Sequence, residues 1–220
     1  MDFKCTLIPA GLALLSCGAM GQAVKSAKGY DFHSIYTSGK PLTFKVVMAI
    51  YPYASAPERN VGVFMTQSFN PLSVKNGLAT LKATVDNVHT KDSRLPIVIK
   101  PRQFVVDRRN KLIGSTQGSL AIVAFPDHPI KIGQSWSALT SVSTDPSTTL
   151  VDQATYRLDG VQTSHGKTIF TFNVTFKGIA TGEGAVLVDA ADCSVISFVS
   201  QLELHTSKGD HEVKMIFKRA

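Results

Sequence analysis

From Thr168 to Lys177 the chain alternates without a break, with Phe170, Phe172, Val174 and Phe176 on one side and Thr171, Asn173 and Thr175 on the other. A period of two is the spacing at which a β-strand turns one face to a core and the other to water, whereas a helix would scatter these apolar residues around its circumference. The same alternation returns in Leu42/Phe44/Val46/Met48/Ile50, Ala79/Leu81/Ala83/Val85, Ile196/Phe198/Leu202/Leu204 and Val213/Met215/Phe217. Half-buried strands of this kind belong to antiparallel sheets. Clusters of turn residues punctuate them at Ser164-His165-Gly166-Lys167, Thr181-Gly182-Glu183-Gly184 and Ser207-Lys208-Gly209-Asp210, the last closing a hairpin between strands at 195–206 and 211–218. Helical spacing is scarce, and only the stretch from Pro71 to Thr84 suggests a short helical turn ahead of a strand. The expected fold is mainly β with little helix: a large curved antiparallel sheet or a partly closed, barrel-like clam of two meander halves.

With 44% hydrophobic and 18% charged residues, the 220-residue chain holds enough apolar matter for a core, which excludes disorder. Three cysteines are too few for a disulfide-stapled fold. Cys5 to Val24 carries no charge, but Pro9, Gly11, Gly18 and Gly21 dilute it, and its strongly apolar part is short (Leu7 to Leu15). A short apolar run behind Lys4 and ahead of small residues is the layout of a signal peptide, assigned to residues 1–23. Leu14-Leu15-Ser16-Cys17, followed by Gly18, resembles the bacterial lipobox, in which the cysteine becomes a diacylated anchor. Ordinary cleavage sites stand beside it at Ala19-Met20-Gly21 and Gly21-Gln22-Ala23. Both routes stay open: acylated Cys17 would anchor the protein on a membrane, and simple cleavage would leave it periplasmic or secreted. Polar residues 24–40 read as a linker into a single β-rich domain at 41–220, divisible into similar halves at 41–120 and 121–220.

That division rests on a faint duplication. Phe104-Val105-Val106-Asp107-Arg108-Arg109-Asn110-Lys111-Leu112-Ile113-Gly114 resembles Val186-Leu187-Val188-Asp189-Ala190-Ala191-Asp192-Cys193-Ser194-Val195-Ile196-Ser197. Each is a strand, an Asp, a polar turn and a second strand, and each follows a strongly alternating strand. The Asp is expected to accept backbone N–H groups within the turn.

At mid-chain stands Phe125-Pro126-Asp127-His128-Pro129-Ile130-Lys131-Ile132-Gly133-Gln134-Ser135-Trp136. It resembles the FPxxPVKxGDSW segment of uncharacterised secreted or lipoprotein β-rich bacterial domains, with Gln134 at the usual Asp position. A Tyr-x-Leu strand (Tyr156-Arg157-Leu158) and Gly184-Ala185-Val186-Leu187-Val188-Asp189 extend the likeness. The resemblance implies a β fold and export, and it implies no activity. In physical terms, Pro126 and Pro129 stiffen an extended lead-in, Gly133 permits a turn, and Trp136 anchors the next strand in the core.

The usual catalytic sets do not converge in the sequence. His33, His89, His128, His165, His205 and His211 show no metal-ligand spacing. By alternation His205 shares the solvent face with Glu203, whereas His211 lies with Val213 and Met215, which argues against a shared metal site. Cys193 sits among carboxylates, which raise a thiol pKa and disfavour a nucleophile. Gly-x-Ser-x-Gly is absent, and Gly114-Ser115-Thr116-Gln117-Gly118-Ser119 lacks the setting of a phosphate loop. Neither an enzyme nor a cofactor is expected.

The net charge of +7 is uneven: Lys91, Arg94, Lys100, Arg102, Arg108, Arg109 and Lys111 face only Asp92 and Asp107 between residues 91 and 111. A basic stripe of this kind contacts anions or discourages edge pairing, and Lys100, Arg102, Arg108, Arg109 and Lys111 are the candidate anion contacts. With Phe104 the only ring among them, no stacking platform for nucleic acid is present, and nucleic acid is not an expected partner. The first functional expectation is an exported, non-enzymatic envelope protein holding an apolar or amphiphilic ligand, such as lipid, against the concave sheet face. Its rival is a structural or protein-interaction domain with a filled core and an exposed patch or free strand edge.

Overall fold

The computed structural model describes residues 23–51, 61–91, 100–114, 123–145, 148–164, 166–178, 180–206 and 209–220. Residues 1–22 of the signal peptide assignment, Cys17 among them, Arg94, and 115–119 of the Gly114–Ser119 cluster lie outside them. Strands β1 (Val24–Ser26) and β2 (Gly29–Asp31) form a small hairpin. The remainder are β3 (Leu42–Tyr51), β4 (Val61–Lys75), β5 (Leu78–His89), β6 (Arg102–Asp107), β7 (Leu112–Ile113), β8 (Ser135–Asp145), β9 (Thr148–Ser164), β10 (Lys167–Lys177), β11 (Ala180–Asp189), β12 (Val195–Thr206) and β13 (Gly209–Arg219). They make one 11-stranded antiparallel sheet in the order β7-β6-β5-β4-β3-β13-β12-β11-β10-β9-β8. The sheet is open, with β7 and β8 at its two edges, and the described residues hold no helix.

The chain enters the sheet at its middle with β3 and steps outward to β7. It then restarts at the far edge with β8 and steps back to β13, which closes the seam against β3 from Glu212↔Tyr51 to Arg219↔Phe44. Alternation sorts the side chains as the sequence pattern requires. Phe170, Phe172, Val174 and Phe176 of β10 and Val213, Met215 and Phe217 of β13 all point inward, each no more than 5% exposed.

An open sheet needs something over its apolar face, and here the chain supplies it from two lead-in segments. Phe32 and Phe125, both fully buried, stack at 5.2 Å, and Phe32 meets Phe170 and Phe172 edge-on at 4.9 and 5.4 Å. Tyr30 and Ile130 tie the two segments together with reciprocal backbone hydrogen bonds of 2.7 and 2.9 Å. At their closest approach stands Gly29 (φ 127°), where a Cβ would lie 2.3 Å from the Ile130 carbonyl oxygen. The stretch 24–40 is therefore no linker: Tyr30 and Phe32 make it part of the core, a role its polar composition conceals.

Two more expectations change. Pro71 to Thr84 holds no helical turn but the end of β4, a tight turn at Asn76-Gly77 and the start of β5, and Pro71 is accommodated at a register shift between Pro71 and Ser73 in the β4–β5 pair. Thr181-Gly182-Glu183-Gly184 is no turn but the interior of β11, with Gly182 and Gly184 paired to Leu202 and Ser200. A Cβ on Gly184 would come within 2.6 Å of the Val199 carbonyl oxygen and 3.2 Å of the Phe198 ring. The glycines let β12 and its aromatic ring lie down on β11, a use of glycine inside strands that sequence alone confuses with a turn. Trp136 is the anchor expected of it: buried, stacked on Tyr156 at 5.3 Å, and donating its indole N–H to the Ala124 carbonyl at 2.8 Å.

Candidate functional site: the outer face of the sheet

Among the described residues, the inner face is packed with buried side chains, among them Phe32, Phe125, Phe170, Phe172 and Phe198. Where Ser34 and Tyr36 cross Phe69, Asn110 and Cys193, the gap amounts to about 10 Å³, space for no more than a single water. The outer face is different. Register aligns Phe64 (β4), Val47 (β3), Ile216 (β13), Val199 (β12) and Ala185 (β11) as successive neighbours across five strands. These are outward positions that alternation would fill with polar residues, yet Ile216 is 45% and Val199 48% exposed. The row continues at one end into His89, stacked on the Phe64 ring at 5.4 Å, and at the other into Asn173 and Arg157.

Charges border the row on both sides. Two residues along the strands, Lys45 stands directly opposite Lys218. On the other side come Lys214, then Glu212 opposite Glu203, then Asp210 opposite His205. Open grooves lie over both ends: one of about 850 Å³ against Lys45, Val47, Phe64, His89 and Lys91, and one of about 780 Å³ against Arg157, Asn173, Glu183, Val199, Lys214 and Ile216. The row was missed in the sequence, although β13 carries its signal: Ile216 interrupts the polar series Glu212, Lys214, Lys218.

The five candidate anion contacts divide. Arg109 is turned inward, donating to Asp31 Oδ1 at 2.8 Å and to the carbonyl of Pro126, so that one guanidinium ties together both lead-in segments. Its partner Asp31 would be raised by burial alone, but hydrogen bonds from His33 and Arg109 hold it below the usual carboxylate range. Lys111 pairs with Asp127, whose carboxyl is thereby also held low. Lys100 and Arg108 are exposed, and Arg102 is half-buried. The basic segment is thus in part a clasp of the fold, and its Lys91 also lines the groove over the Phe64 end of the apolar row.

Among the described residues, Glu203, His205 and Asp210 bring potential metal-ligand atoms within 4.8 Å of one another, all on exposed side chains. Both His205 nitrogens already have partners, Nδ1 at 2.9 Å from Asp210 and Nε2 at 3.1 Å from Thr181 Oγ1, and the Asp210 hydrogen bond holds the imidazole pKa up. His211 is on the opposite face, as alternation predicts. Cys193 is buried, and burial, followed by the nearby carboxylates of Asp192, Asp189 and Asp31, pushes its thiol up to about 12, which leaves no thiolate at neutral pH. No model of a known protein family matches this chain, and no curated protein matches it either.

Proposed function

We propose that this is an exported, non-enzymatic protein of the cell envelope that acts as an interaction domain. Its outer sheet face receives a protein partner presenting an apolar ridge with carboxylates on the side that meets Lys45 and Lys218. The observation supporting this reading is the contrast, among the described residues, between a packed inner face and the outward row Phe64–Val47–Ile216–Val199–Ala185, in which Phe64 and Val47 are half-buried and Ile216, Val199 and Ala185 exposed. A carrier of lipid needs a volume that encloses most of its ligand, whereas open, shallow grooves suit a macromolecular surface. The chemistry of the partner follows from the border. Lys45 and Lys218 face each other across β3 and β13, and neither has an ion pair among the described residues. A like-charged pair is unfavourable by itself and is relieved by an anionic neighbour.

Carbene footprinting tests this reading. Phe64, Ile216 and Val199 are expected to be protected in intact envelopes relative to dilute purified protein. Ile216→Lys should abolish that protection while changing stability by less than about 0.5 kcal/mol, as befits an exposed position. Equal labelling in both settings, or a stoichiometric lipid co-purifying with the natively exported protein, overturns it.

A further inference from the structure

The two edges of the sheet differ in a way that concerns neither face. At one edge, β7 is two residues long and follows directly on Lys111. Short strands and flanking charge are the means by which sheets keep edges from pairing. At the other edge, β8 runs for 11 residues, and no described strand lies on its far side. From Ser135 to Thr144 it contains no charge and no proline, and Leu139 is 71% exposed. A long, uncharged edge with a free row of N–H and C=O groups is a template for another strand.

We propose that β8 pairs antiparallel with β8 of a second copy of this chain, joining two sheets into one across a two-fold axis at Thr140. The strand suits itself as a partner. That register centres the pairing on Thr140 and puts positions 139 and 141 opposite each other, and the stretch Ser135 to Thr144 brings no charge to the seam. A self-complementary contact of this kind closes on two copies. It leaves only the blunted β7 edges at the ends of the joined sheet, so the assembly stops at a dimer instead of growing into a fibre.

Sedimentation equilibrium tests this on the exported protein, on a Leu139→Lys/Ser141→Lys variant, and on a Leu139→Glu/Ser141→Glu variant. Wild type is expected to have twice the mass of one chain. Each variant alone should be monomeric, because position 139 of one copy meets position 141 of the other. An equimolar mixture of the two variants should recover the dimer, which a variant that merely misfolds would not do. Ile216→Lys should leave the mass unchanged, so failure here is separate from failure of the outer-face reading. A monomeric wild type, or a lysine variant that remains dimeric, overturns the proposal.

Discussion

The hairpin turns at 107–111 and 189–194 share a backbone plan and differ in almost everything attached to it. In the first, Asp107 Oδ1 accepts the N–H groups of Arg109 and Lys111 at 2.8 and 2.9 Å; in the second, Asp189 Oδ1 accepts that of Ala191 at 2.9 Å. Each turn ends in a left-handed residue, Asn110 (φ 61°) and Cys193 (φ 53°). Between them passes the first lead-in segment, with Ser34 donating to the Arg108 carbonyl at 2.7 Å and Ile35 to that of Asp192 at 3.0 Å. The side chains then diverge. The first turn reaches out with Arg109, Asn110 and Lys111 to hold other segments by polar contacts, whereas the second offers Ala190, Ala191 and a buried thiol and receives Arg219 of β13 on Asp192 and Ser194. One backbone geometry thus donates its clasping groups in one half and accepts an incoming guanidinium in the other.

Removing the clasp should show the largest effect. Arg109→Ala leaves Asp31 with only its His33 contact and takes the guanidinium donor from the Pro126 carbonyl, and it is expected to cost about 2–4 kcal/mol in urea unfolding. The same pair sets an acid response. Asp31 has its pKa lowered on folding, so its contribution is complete above the ordinary carboxylate range and is lost as pH falls through the lower, folded value. Asp31→Asn should therefore flatten the acid limb of stability against pH; an unchanged limb would assign that limb to other carboxylates.

Asn110→Ala comes next, at about 2 kcal/mol. It removes the hydrogen bonds to the Val123 carbonyl (2.9 Å) and from the Tyr36 hydroxyl (2.8 Å), and puts alanine in a left-handed conformation. Asn110→Gly should recover part of the loss, because it relieves only the backbone. Cys193→Ala is the smallest, about 1 kcal/mol, since only a small buried group and the weak hydrogen bond its sulfur accepts from the His33 backbone N–H are lost. In the native protein the Cys193 thiol should react with maleimide only as fast as the fold opens. Rapid labelling without unfolding would show that the second turn is not the packed one.

The strands were legible because alternation is a local signal: Phe170 to Phe176 says inward or outward without reference to anything else. The repeated Asp turns were legible for the same reason, since Asp107 and Asp189 bond within their own few residues. What covers the inner face was not legible. Phe32 and Phe125 are single aromatics in polar or proline-rich surroundings, and only the meeting of two distant segments makes them core. The outer row was hidden similarly, because Val47, Phe64, Val199 and Ile216 each look like one stray apolar residue until strand register sets them side by side. Arg109 was read as part of a basic stripe because its partner lies 78 positions away.

The seam between β3 and β13 also has a consequence for the order in which the molecule can be made. β3 is the first strand of the large sheet to emerge from a ribosome or a translocation pore, and β13 is the last. Until β13 arrives, the outward N–H and C=O groups of β3 have no neighbour, and the first half waits with an open edge while the second is still being threaded. Contacts of such long sequence separation form slowly and leave intermediates prone to wrong pairing. Ala220, donating to the Thr43 carbonyl at 2.9 Å, lies at the end of the stretch that ends this wait. Loss of the final hairpin would thus leave two half-sheets with nothing to join them, and a chaperone holding β3 while the rest of the chain is made would protect the most exposed point of the folding pathway.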